Sequence, residues 1–99
     1  MAGKYEGQAI GIFELDNLCA CFVALDAASK AANVSIQSVE RNRLKWGACV
    51  KMRGSVSDVN AAMDAALEIA KPMAQIVHHT VIASPAAGTE RAIEMTINK

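Results

Sequence analysis

Two stretches of this chain share one pattern. Ala24 to Ala32 reads ALDAASKAA and Ala62 to Ala70 reads AMDAALEIA, both Ala-x-Asp-Ala-Ala-x-x-x-Ala. Alanine has the best helix propensity, and apolar residues recur around both stretches at helical spacing. The first helix is predicted from Leu18 to Ala32, with Leu18, Cys21, Phe22, Leu25, Ala28 and Ala32 as its apolar stripe. Asp16 or Asn17 caps its start, and Asn33 is read as a left-handed cap at its end. The second helix is expected after a Ser57 cap, with Asp58 in its first turn and the stripe Val59, Ala62, Met63, Ala66, Leu67 and Ala70. Pro72 stops it.

Strand patterns flank both helices. QAIGIFEL (8–15) reads as a largely buried strand, and VSIQSVER (34–41) alternates apolar with polar at its start. GACVKMRG (47–54) puts Ala48, Val50 and Met52 on one side and Cys49, Lys51 and Arg53 on the other. The short RNRLKW link between these last two makes them an antiparallel hairpin. AQIVHHTVIAS (74–84) is rich in Val, Ile and Thr and reads as a fourth strand. After SPAAG the tail is a short helix or a strand. Strand, helix, strand, strand, helix, strand is the split βαβ, ferredoxin-like plan. The fold class is therefore α/β in the α+β sense: an antiparallel sheet with two alanine-rich helices on one face. The other face should be covered or polar. A chain of 99 residues makes one domain, with its core at about 8–85 and a tail at 86–99.

Ten Lys and Arg balance ten Asp and Glu. That balance argues against general binding to nucleic acid or to membrane surfaces. The polar start MAGKYEGQ is not a secretory signal, and no apolar run is long enough to span a bilayer. Cys19, Cys21 and Cys49 are an odd set. They read as reduced cytoplasmic thiols packed as small hydrophobes. His78 and His79 are adjacent in a strand, so one is expected packed and the other exposed. No nucleophile elbow, dinucleotide fingerprint or phosphate loop occurs, and no nucleophile–base pair is visible. The chain is expected not to be an enzyme.

Two features remain. In ERNRLKWG, Arg41, Arg43 and Lys45 crowd around Leu44 beside the only tryptophan, Trp46. The aromatic pairs of an RNA-recognition motif are absent from the strands, so the loop is not read as an RNA-binding surface. The second feature is Lys30, a charge set among alanines. It must reach water or meet a partner.

AIGIFELDNLCACFVALDAASKAANVSI resembles the opening of bacterial microcompartment shell proteins of the hexameric BMC-domain type. Asp26, Ala27, Lys30, Ala31, Ala32 and Val34 stand at the positions of that family's Asp-Ala-x-x-Lys-Ala-Ala-x-Val. VKMRGSVSDVNAAMDAALEIA resembles its Val-Arg-Gly-Asp-Val stretch and second helix, and VHHTVIASP its last strand. SPAAGTE and VKMRGSV look most like shell proteins of microcompartments built around glycyl-radical enzymes.

The resemblance implies a cyclic homohexamer that tiles edge to edge, with other shell proteins, around encapsulated enzymes. It implies a cytoplasmic shell with a central pore for small metabolites, no catalytic residue, and no nucleic-acid or membrane partner. Arg41, Asn42, Arg43, Leu44, Lys45, Trp46 and Gly47 correspond to the pore loop. A ring of Arg43 and Lys45 facing the axis would attract anions. Lys30, Asn33 and Ser84 correspond to the hexamer edge, Ser84 standing where the family usually has arginine. No cofactor and no metal are expected. Some glycyl-radical relatives hold an iron–sulfur cluster on a pore-loop cysteine; here the only nearby thiol is Cys49, in the following strand. That electron-transfer variant is one alternative. The other is a ferredoxin-like module that binds a small anion or serves in regulation.

Overall fold

The computed structural model describes residues 4–42 and 46–97. Its elements are β1 (Ala9–Leu15), α1 (Leu18–Ala31), β2 (Ser35–Arg41), β3 (Ala48–Gly54), α2 (Val56–Ala70), β4 (Ile76–Ile82) and α3 (Ala87–Ile97). The four strands form one sheet in the order β2-β3-β1-β4, every neighbouring pair antiparallel. This is the split βαβ plan expected from the sequence. The ambiguous tail is a helix.

Alternation along the strands divides the sheet into two unlike faces. Phe13, Leu15, Ala48, Val50 and Met52 join the core with residues of α1 and α2. Each large side chain buried there contributes about 1.5–3 kcal/mol. Gly11 lets α2 come close, because a Cβ there would lie 2.7 Å from Val59 Cγ1. The opposite face carries Ile10, Ile12 and Glu14 of β1 against Arg53, Lys51 and Cys49 of β3. Its β2–β3 half is overlain by α3, which sets Glu90 on Arg53.

The helices differ from expectation in several details. Asn17, rather than Asp16, caps α1, its Oδ1 accepting from Ala20 N at 2.9 Å. The C-cap is Ala32 in an extended conformation, and no non-glycine residue among those described has a positive φ, so Asn33 is not a left-handed cap. The buried face of α1 is Ala20, Cys21, Ala24 and Ala28. Phe22 is instead 53% exposed. Two alanine-rich helices lie close on a sheet, so small residues face inward and the large ring is turned out. Ser55 replaces Ser57 as the α2 cap: its Oγ accepts from Asp58 N at 3.1 Å and donates to Asp58 Oδ2 at 2.9 Å. The α2 stripe is as expected, with only Leu67 half-buried rather than buried. His78 and His79 are both exposed, against the expectation of one packed. β4 is an edge strand, and its His79 lies beside Phe13 at the margin of the helix layer.

Candidate functional site

The root of the β2–β3 loop is tied to the junction between β1 and α1. Asn42 donates from Nδ2 to Glu14 Oε2 at 3.0 Å and to the Leu15 carbonyl at 3.3 Å. Its backbone N–H donates to Gly47 O at 3.1 Å, closing the loop. On the returning side, Leu18 N donates to Trp46 O at 2.7 Å. Gly47 packs directly on β1: a Cβ there would fall 1.8 Å from Leu15 O. Only glycine fits. Trp46 is held by its backbone while its side chain is 79% exposed. Arg41 is exposed at the end of β2. Arg43, Leu44 and Lys45 lie outside the described residues.

The outer sheet face beside this root is polar. Lys51, nearly buried, bonds Glu40 at 2.5 Å, and Ser38 Oγ donates to the same carboxylate oxygen at 2.7 Å. Burial alone pushes the Glu40 carboxyl up. The donors Lys51 and Ser38 and the ammonium charge outweigh that and hold it below its ordinary value. Cys49 lies in a shallow groove with Ile12, Glu14, His78, His79 and Thr80. Burial raises its thiol, partly offset by the Lys51 charge.

Cys21 points to the other face, its Sγ 3.6 Å from Ala48 O, and burial raises its thiol too. Cys19 is exposed, so the three thiols are not uniformly packed as expected. The cysteines do not converge, and among the described residues no three His, Cys, Asp or Glu side chains are placed to hold a metal ion.

At the far end of α1 lies the second group. Lys30 pairs with Asp26 one turn back at 2.8 Å, both side chains largely exposed. The hydrogen bond and charge of Asp26 raise the Lys30 pKa. Lys30 therefore has a partner within its own helix. Asn33 is exposed and its N–H donates to Asp58 Oδ1 at 3.4 Å, linking the end of α1 to the start of α2. Ser84 is exposed in the bend after β4. All three lie at the end of the sheet opposite the loop root. The fourteen residues of α1 separate the two ends by about 20 Å, at 1.5 Å per residue.

A BMC domain model matches residues 9–85. The chain belongs to the BMC-domain family. The bacterial microcompartment shell protein PduT of Citrobacter freundii is 39% identical over 79 residues, which is 79% of this chain and 43% of PduT. The shell protein PduK of the same organism is 27% identical over 81 residues, covering 82% of this chain and 52% of PduK. The crystal structure of a microcompartment protein from Desulfitobacterium hafniense superposes with a TM-score of 0.78 at 24% identity, covering 92% of this chain and 50% of that one. This BMC chain spans about half the length of the relatives it matches.

Sequence reading missed Arg53 as a site residue. It is fully buried on the outer face and takes part in five hydrogen bonds. The signal was present in the alternation that set Cys49, Lys51 and Arg53 on one side. What could not be read was that the tail would fold over Arg53.

Proposed function

We propose that this chain is a structural, non-catalytic subunit of a bacterial microcompartment shell in the cytoplasm. It assembles as a cyclic homohexamer whose 41–47 loop surrounds a central pore for small metabolites. Lys30, Asn33 and Ser84 form the hexamer edge, where discs meet other shell proteins. One observation carries this reading: the BMC match spans the whole sheet and both core helices, residues 9–85. The geometry is compatible with it. Loop root and Lys30 stand at opposite ends of α1, as an arrangement with one end at the axis and the other at the rim requires. At the rim, the Lys30 stem lies beside small residues, so its amine can exchange Asp26 for carbonyls of a neighbouring disc. Head-to-tail contacts that close on themselves make rings. The glycyl-radical subtype rests on the SPAAGTE and VKMRGSV stretches alone.

The test is the solution mass by light scattering behind a sizing column. Six chains, or multiples of six, is the expected result. A monomer or dimer at every concentration would refute the shell subunit and favour a small binding module.

A further inference from the structure

α3 meets the sheet through few contacts: the Glu90–Arg53 ion pair, the buried Ile93 and a side-chain hydrogen bond between Thr96 and Glu40. Of its eleven residues only Ile93 is buried; Glu90 and Ile97 are half-buried, and the rest, including Met95, are exposed. Beneath it lies the Arg53 guanidinium, with no exposed side-chain surface. Nη1 donates to Glu90 Oε1 at 3.1 Å and Nη2 to Glu90 Oε2, a two-pronged clasp. Nη2 also reaches the carbonyls of Tyr5 at 3.2 Å and Gln8 at 3.4 Å, and the Tyr5 ring stacks 5.2 Å away. The Nε–H has no partner among the described residues.

These contacts belong to two separable parts. Arg53 stays with β3, fixed by N-terminal carbonyls and the Tyr5 ring. Its only carboxylate partner among the described residues sits on α3. Between β4 and α3 lie only residues 83–86, with no regular structure. When α3 lifts, it takes the counter-charge with it. What remains is a preformed arginine fork beside the seat of Ile93, built for a helix that carries a carboxylate and a branched apolar residue three positions later. The chain's own α3 is such a helix, and every copy carries it.

We propose that α3 is a detachable strap, and that the Arg53 surface beneath it accepts the α3 of a second copy in exchange for its own. Exchange conserves each contact across the pair, which is the general reason that swapped elements form at low cost. The four-residue link, at 3.3–3.6 Å per residue, allows a reach of about 14 Å. Exchange therefore joins only copies whose β4 ends come that close. This inference does not depend on the shell role.

The test uses the full chain and a fluorescein-labelled peptide with the sequence of residues 86–97, followed by anisotropy. Saturable binding is expected, at least tenfold tighter to the Glu90→Gln chain than to wild type. That substitution loosens the resident strap and leaves Arg53 in place. A peptide carrying the same Glu→Gln change should bind at least tenfold more weakly, and a scrambled peptide no better. No saturable binding to the Glu90→Gln chain would overturn the proposal. So would a scrambled peptide binding as well as the native one, which would make the surface a receptor for any acidic helix. Hydrogen exchange on the wild-type chain tests detachment independently. The α3 amides should exchange at least tenfold faster than those of α2; exchange of both helices together would show that the strap does not open.

Discussion

Gly47 is the strictest position at the root of the β2–β3 loop, and Gly47→Ala is the sharpest test of how that root is built. A Cβ there would sit 1.8 Å from Leu15 O, 2.7 Å from Asp16 Cα and 2.8 Å from the Leu15 carbonyl carbon, all backbone atoms that cannot rotate away. The start of β3 must retreat by more than ~1 Å to restore even a tight contact. Retreat pulls on two hydrogen bonds, Asn42 N to Gly47 O at 3.1 Å and Leu18 N to Trp46 O at 2.7 Å. Each is worth about 1 kcal/mol, and forced overpacking adds about 1–3 kcal/mol. The expected loss is roughly 3–5 kcal/mol, a large share of the 5–15 kcal/mol that holds a domain together. Urea unfolding at fixed protomer concentration, followed by far-UV circular dichroism, reads it as a fall in midpoint with unchanged slope. Gly88→Ala is the control, since nothing lies within 4 Å of its Cβ. That substitution should leave stability unchanged or raise it by up to about 0.5–1 kcal/mol. A Gly47→Ala protein within about 1 kcal/mol of wild type would refute the argument that the loop root is locked by backbone contact.

Three further outcomes follow from the same geometry. If the chain assembles as proposed, Lys30→Asp should leave the hexamer intact and lower its melting temperature only slightly, through the like charge set one turn from Asp26, but abolish extended sheets in electron micrographs, because the side chain is exposed and its one bond among the described residues is to Asp26; normal sheets would remove Lys30 from the edge. Glu40 is held below its ordinary carboxyl value when folded, so its contribution is present at neutral pH and lost as pH falls through that lowered value. Urea midpoints from pH 7 to 3 should fall less steeply for Glu40→Gln than for wild type, and superimposable profiles would contradict the Lys51 pairing. The Cys49 thiol is raised by burial, so iodoacetamide should modify exposed Cys19 first and Cys49 only as pH climbs; equal labelling at neutral pH would show that Cys49 is not shielded.

The sheet and two core helices were legible in the sequence because their signals are periodic and local. The Ala-x-Asp-Ala-Ala repeat, the alternation in GACVKMRG and the run IVHHTVI each report on their own backbone. The errors arose where geometry between elements decides. Phe22 has the right spacing for the α1 stripe, yet close helix-to-sheet approach selects Ala20, Ala24 and Ala28 instead. Ser57 reads as the α2 cap, but β3 ends at Gly54 and the helix starts at Val56, which leaves the cap to Ser55. Of the candidate site, Lys30, Asn33 and Ser84 could be placed on the chain, but the Asp26 and Asp58 contacts needed coordinates.

Arg53 shows the same limit most clearly, and also why the outer face is built as it is. By alternation it belongs on the face without core helices, where a charged residue reads as solvated. Among the described residues it is the most deeply enclosed charge, because a tail of weak sequence signal closes over it with one carboxylate and one isoleucine. A buried ion pair adds little net stability over a hydrophobic pair, yet losing one partner is costly. Such a pair is therefore poorly suited to making α3 a permanent part of the core. It is well suited to specifying which helix may lie there, since only a segment that returns a carboxylate to the Arg53 fork satisfies the charge left on the sheet.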